Sequence, residues 1–320
     1  MKNKSELTDF YYKSLHPILK QLDDDRKQVQ YRVILVISFF SLIYAVVLWL
    51  LLSSFSFEFD ILIFGGVIYF GIVSYIYKFL IKDYTHEFKD MIIRPLIKAI
   101  EPKLSYSSHM HVPQLLFNRS ELFSRPDKIN GNDFVKGIID DIPLQFSDLH
   151  AQKRHKDSKG RESWSTLFRG LFVVAEFNKY FDGKTVILPD TAQSTFGDLI
   201  GHWLQSNNFS RDSLIKMDNT EFEKEFVVYS SNQIEARYIL SHTLMEKLLT
   251  LKKRSKHPVY FSFVDNHIHI AIYYDKDLFE PTVFKSLLEY KVAMEYVDTL
   301  HMATGIVQEL KLNQKLWSKR

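Results

Sequence analysis

Two long apolar runs dominate the pattern of the chain, Val33 to Leu52 and Ile61 to Tyr77, separated by a short segment that holds Glu58 and Asp60. As a helix, the first run is long enough to cross ~30 Å of hydrocarbon, and the second becomes so if it continues past Lys78 through Phe79, Leu80 and Ile81. Neither core carries a charge, and a helix with no polar face has nothing to offer water. The pattern therefore predicts a transmembrane helical hairpin over residues 33–81. Arg26, Lys27 and Arg32 precede it and Lys78, Lys82 and Lys89 close it, whereas the connector from Ser53 to Asp60 has no basic residue. That asymmetry places both ends in the cytoplasm. The first run starts too far into the chain and is too long for a cleaved signal peptide, and no small-residue cleavage pattern follows it.

The flanks are amphipathic. In residues 1–32, Phe10, Leu15, Ile18, Leu19 and Leu22 keep helical spacing, with Pro17 starting or breaking the helix. In residues 82–104, Tyr84, Phe88, Met91, Ile92, Leu96 and Ile100 share one stripe; Pro95 predicts a kink and Pro102 an end. The two extensions could pair as a stalk or lie independently on lipid or on the domain beyond. Tyr31, Trp49, Tyr75 and Tyr77 sit near the edges of the runs, and Gly65, Gly66 and Gly71 would let the two helices approach closely.

Residues 105–320 change to short mixed elements. Val112 to Phe123 reads as helical turns, and Asp133 to His150 as two strands broken at Ile142 and Pro143. A charged loop is expected over Gln152–Ser163, followed by a central strand from Trp164 to Phe177. Asp182 and Gly183 turn into a strand over Lys184–Leu188, which Pro189 stops. A short helix is expected over Thr195–Gln205, and Phe222–Tyr229 is ambiguous between helix and strand. Ser241 or Thr243 caps a helix that buries Leu244, Met245, Leu248, Leu249 and Leu251. A hairpin follows, Val259–Val264 and His267–Tyr273, around Asp265 and Asn266, and Pro281 then opens one or two final helices. The order of elements argues an α+β cytoplasmic domain with a mainly antiparallel sheet and flanking helices.

Composition narrows the chemistry. The 320 residues include no cysteine, which removes disulfides, thiolate metal sites and cysteine nucleophiles. A net charge of +3 is too small to argue for nucleic acid. No Walker loop, dinucleotide fingerprint or HExxH is present, and neither a cofactor nor a catalytic residue is assigned. Ser147, Asp148 and His150 contain the residue types of a hydrolytic triad, but on a strand the serine faces away from the other two. His267 and His269 would share a strand face as exposed histidines, with no third ligand to make a metal site. Glu235 and Arg237, two apart, would share a face in an extended segment as an ion pair or ligand contact. Gly170 inside an apolar strand implies a bulge or a close backbone approach. Lys153, Arg154, Lys156, Lys159 and Arg161 form a basic loop able to touch anionic lipid, and Lys252, Lys253 and Arg254 suit a helix carboxyl end.

The blocks Phe146-Ser147-Asp148-Leu149-His150-Ala151, Phe168-Arg169-Gly170-Leu171-Phe172, Phe177-Asn178-Lys179, Phe226-Val227-Val228-Tyr229-Ser230 and Glu235-Ala236-Arg237-Tyr238-Ile239-Leu240 resemble those of a bacterial membrane-protein family catalogued as domain of unknown function 3137. The likeness extends to the apolar hairpin and to Asn313–Trp317. It departs at Asp148, where the family pattern leads one to expect glutamate. The resemblance implies a bacterial protein of the inner membrane, and a LemA-type membrane protein as a partner, but no activity. The expectation is a two-pass protein with both termini cytoplasmic, whose domain binds a protein partner or further copies of itself. The alternative is a membrane-bound enzyme or small-ligand sensor in which Asp148, His150, Glu235 and Arg237 line one polar pocket; an oligomeric channel has little support from spans without charge.

Overall fold

Helix α1 (Lys4–Lys13) stops one turn short of α2 (His16–Leu52), whose first turn holds Pro17 where its missing N–H costs nothing. The computed structural model describes residues 4–53, 59–176, 180–190 and 214–310. The chain is α+β, with an amino-terminal helix pair of membrane-spanning length and an antiparallel sheet flanked by helices. It divides into two compact units, one helical (Ser5–Leu96 with Phe279–Val297) and one built on the sheet (Ile97–Leu278 with the chain from Asp298).

In the helical unit, α2 runs unbroken from the polar lead into the first apolar run, and α3 (Phe59–Phe88) carries the second. The rings of Tyr44 and Tyr69 stack 4.5 Å apart between the two helices, and Ser41 hydrogen-bonds the Tyr69 hydroxyl. Outward-facing residues of both runs are uncovered, Trp49 at 69% and Phe70 at 71% exposure. The irregularity predicted at Pro95 takes the form of a π turn (Lys89–Ile93) immediately before α4 (Arg94–Ile100), a place where one extra residue relieves the i→i−4 ladder that a proline interrupts. Below the runs Leu15, Leu19, Leu22, Tyr84, Phe88, Ile92 and Ile93 are fully buried, as a paired stalk requires.

A third segment, 279–297, locks onto this stalk. The Asp23 carboxylate accepts from Arg26 Nε (2.8 Å), Ser286 Oγ (2.8 Å) and the Leu287 amide (3.2 Å), while Arg26 also donates to the Val283 carbonyl (2.8 Å). Although burial alone would push it up, the hydrogen bonds from Arg26 and Ser286 hold the Asp23 carboxyl at about 2. Buried Lys89 pairs with Glu280 at 2.6 Å, the Tyr296 hydroxyl donates to the Glu280 carbonyl (2.9 Å), and its ring lies 5.1 Å from Phe88. These contacts explain why the helix expected from Pro281 does not form: the backbone groups of 283 and 287 are taken by side chains of α2, and the helix starts only at Tyr290. The boundaries drawn from sequence leave this segment with the sheet; the packing gives it to the helices.

The sheet unit contains β1 (Ser105–Ser107), α5 (Gln114–Arg119), β2 (Lys128–Ile139), β3 (Ile142–Lys156), β4 (Glu162–Glu176), β5 (Thr185–Pro189), β6 (Leu214–Ile215), α6 (Thr220–Glu223), β7 (Phe226–Ser230), α7 (Gln233–Ile239), α8 (His242–Ser255), β8 (Val259–Val264) and β9 (His267–Tyr273), and helix α9 (Tyr290–Leu310) enters it at Asp298. The nine strands lie in the order β1-β2-β3-β4-β9-β8-β5-β7-β6, and every pairing among the described residues is antiparallel. The first turn is Asp140-Asp141, both at positive φ, two residues ahead of the expected break, so Pro143 lies inside β3. The expected charged loop is mostly strand: β3 reaches Lys156, β4 starts at Glu162, and only 157–161 turns, because hairpin arms exposed to water can be charged. The ambiguous stretch resolves into α6 and β7, and Ser241 caps α8. The helix expected over Thr195–Gln205, the Phe177-Asn178-Lys179 block and Asn313–Trp317 lie outside the described residues.

One face of the sheet packs Phe134, Leu149, Phe168, Phe172, Val174 and Tyr260 against Val112, Phe117 and Leu122 of the segment around α5. Residues on the opposite face, Leu171, Val173, Phe261, Ile270 and Ile272, are also buried. With both faces of β9 covered, His269 is buried and His267 half-buried, so the expectation of exposed strand histidines fails. Gly170 is at φ 138°, and a Cβ there would come 2.2 Å from the Ile272 carbonyl oxygen and 2.6 Å from the Tyr274 nitrogen. The close approach of β4 to the end of β9 depends on that missing atom. Gly170→Ala is expected to cost about 1–3 kcal/mol, seen as a lower unfolding midpoint of the full chain in detergent; an unchanged midpoint would refute the packing argument.

Candidate functional site

Strand alternation sets the chemistry of β3. Ser147 turns inward, where its Oγ accepts from the Val112 amide (2.9 Å), while Asp148 and His150 take the other face. No triad forms, as the spacing requires. Across the ladder Asp148 stands opposite Leu171 and His150 opposite Arg169. The chain leaving β9 folds back over them: the Tyr274 amide donates to the Arg169 carbonyl (2.9 Å), the Arg169 guanidinium pairs with Asp277 (3.0 Å), and the Leu278 amide donates to Asp148 Oδ2 (2.9 Å).

Asp148 is almost fully buried, and burial pushes its carboxyl up to about 7, with Asp277 and Asp133 acting the same way and the Leu278 amide and Arg169 against. His150, half-buried with its Nε2 3.0 Å from Thr166 Oγ1, is pushed down by burial and by Arg169. The Nε of Arg169 is buried without a hydrogen-bond partner. The cluster can take up or release a proton near neutral pH while it holds the exit of β9 in place. Sequence pattern alone does not single out Arg169 and Asp277 as site residues. An arginine set between Phe168 and Leu171 within an apolar strand was the available signal.

Glu235 and Arg237 do not join this cluster. They lie in α7 rather than in an extended segment, so two residues of spacing put them on different sides: Glu235 is buried and Arg237 exposed. The Asn232 side chain caps the helix by accepting from the Glu235 amide (3.1 Å), and the Glu235 carboxylate accepts from the amides of Asp182 (3.1 Å) and Gly183 (2.8 Å). Its work is to hold that turn. β7, which leads into α7, stands five strand positions from β3, on the order of 24 Å at ~4.8 Å per strand. The polar pocket that would have joined all four residues is not assembled.

The rings of His267 and His269 are 6.0 Å apart, burial and the neighbouring His267 push His269 down to about 3, and Ser262 Oγ lies 3.3 Å from its Nδ1. Among the described residues no group of three or more His, Asp or Glu is placed to hold a metal ion. At the β3–β4 tip Lys153 pairs with Asp127 (3.4 Å), Arg154 with Glu162 (3.3 Å) and Arg161 with Asp157 (2.7 Å). Lys156 and Lys159 are exposed, and Trp164, 47% exposed, sits opposite Arg154.

Residues 166–312 match the family described as Protein of unknown function (DUF3137). The match takes in the blocks at Phe168–Phe172, Phe226–Ser230 and Glu235–Leu240; the block at 146–151 and the helix pair precede it. No curated protein matches the chain. A crystal structure of the mycobacterial trehalose monomycolate transport factor A, TtfA, is similar at a TM-score of 0.33 and 10% identity, over 68% of this chain and 93% of that one. A likeness of that size carries no weight for fold or function.

Because the folded Asp148 carboxyl titrates above its unfolded value of 3.8, the folded state holds an extra proton between those limits. Its contribution is full below about pH 4 and is lost as pH rises through 7, a swing of up to about 4 kcal/mol. Asp148→Asn is expected to flatten stability against pH across that window, measured by chemical unfolding of the full chain at pH 4.5, 6 and 8; an unaltered slope would show that Asp148 is ionised throughout.

Proposed function

We propose that the protein is a two-pass anchor of the bacterial inner membrane, both termini cytoplasmic, whose α+β unit is a non-enzymatic interaction or scaffold module. The observation that carries the reading is the array of exposed apolar side chains on α2 and α3 over their apolar runs, which water solvates poorly and hydrocarbon solvates well. Cationic flanks and a connector without them support the orientation. The separation of Asp148 and His150 from Glu235 and Arg237 supports a binding module over an enzyme or sensor built on those four. A second copy of the chain or a LemA-type membrane protein is the partner this reading anticipates. The β3–β4 tip, with Lys153, Arg154, Lys156, Lys159 and Arg161 beside exposed Trp164, is a contact for anionic lipid headgroups in this reading.

Since the chain has no cysteine, orientation can be tested with single replacements. A membrane-impermeant thiol reagent added to intact cells is expected to label Ser56→Cys and to reach Ser158→Cys only after permeabilisation. Labelling of Ser158→Cys from outside would overturn the orientation, and recovery of full-length protein in the soluble fraction would overturn the anchor. Mild solubilisation with mass measurement then tests the module: a chain that stays monomeric with nothing bound argues against it.

A further inference from the structure

The segment 279–297 does more than brace the stalk. Its path along the helical unit can be followed by its bonds: Glu280 at Lys89, Val283 at Arg26, Ser286 and Leu287 at Asp23, and Tyr290 with its ring 6.3 Å from Tyr12. Arg26 stands seven residues before Val33, where the first apolar run begins, and Lys89 eight after Ile81, where the second run ends once it is continued past Lys78. At 1.5 Å per residue those anchors lie ~10 Å and ~12 Å from the apolar runs, next to a headgroup layer ~5–8 Å deep. Along α2 the segment comes nearest the runs at Val283 and then recedes. Val283 is buried, and the next two residues, Phe284 at 58% exposure and Lys285, are not covered by protein.

We propose that Phe284 and Lys285 form a third membrane contact, with the phenyl ring seated among the headgroups of the leaflet the helix pair enters and the ammonium on lipid phosphate. The assignment rests on the reading of α2 and α3 as spans. A ring beside a cation at headgroup depth matches the chemistry of an interfacial anchor. Tyr31, five residues past Arg26 on α2 and exposed, extends the same belt toward the hydrocarbon. The apex is held on both sides, the Val283 carbonyl by Arg26 and the 286–287 backbone and hydroxyl by Asp23, so docking orders nothing new.

The test uses the full chain in vesicles of phosphatidylcholine with phosphatidylglycerol, carrying nitroxide lipid labelled either at the headgroup or in mid-chain. Phe284→Cys and, as a reference within the second run, Phe70→Cys are each labelled with an apolar fluorophore. The 284 probe is expected to lose about twofold or more of its emission to the headgroup nitroxide and little to the mid-chain one, with the order reversed at 70. A 284 probe untouched by either nitroxide, with the 70 probe quenched, overturns the third contact and leaves the spans standing. Both probes untouched removes the spans and the contact with them.

Discussion

An apolar helix surface that no protein covers has to find surroundings other than water, and most of what is distinctive about this chain follows from that constraint. Along 34–52 and 63–77 the side chains are exposed or half-exposed, and between the two helices the rings of Tyr44 and Tyr69 stack. Nothing in such a surface specifies how the helices continue once they leave it. That task falls to the polar residues just beyond, and they perform it through burial: Asp23, Arg26 and Lys89 are all nearly inaccessible.

Buried charges are tolerable only when their hydrogen-bonding capacity is used up, and here it is used on a distant piece of the same chain. Asp23 serves Arg26, Ser286 and the Leu287 amide at once; Lys89 serves Glu280. Removing either partner would leave an uncompensated charge, which typically costs several kcal/mol. The helical unit is in this sense closed by residues 191 to 264 positions away, and its third segment carries an exposed aromatic residue beside a lysine.

The sheet unit meets a related constraint with a different solution. Covering both faces of the central strands leaves ionisable groups inside, and each is dealt with locally. His269 is kept neutral beside Ser262, Glu235 is spent on two backbone amides, and Asp148 takes the Leu278 amide at the cost of a carboxyl that titrates near neutrality. Asp148 sits among further charges, Arg169 and Asp277, that can respond to its state.

Periodicity by itself determined the helix pair, the amphipathic extensions, the β8–β9 hairpin and the opposed faces of Ser147 and Asp148, because each depends on contacts between residues close in sequence or on strand alternation; of the two cap candidates, Ser241 and Thr243, the structure uses Ser241. At Gly170 the pattern left a bulge and a close backbone approach open, and the structure shows the close approach, to the Ile272 carbonyl. Tertiary structure alone decided the rest. Whether Glu235 belonged to strand or helix turned on Asn232 and the 182–183 turn, and whether 281–289 became helix turned on side chains of α2. Whether His269 met water depended on what covered β9. Each of these is a competition for hydrogen bonds or burial between residues far apart in the chain, and local pattern carries no information about who the competitor will be.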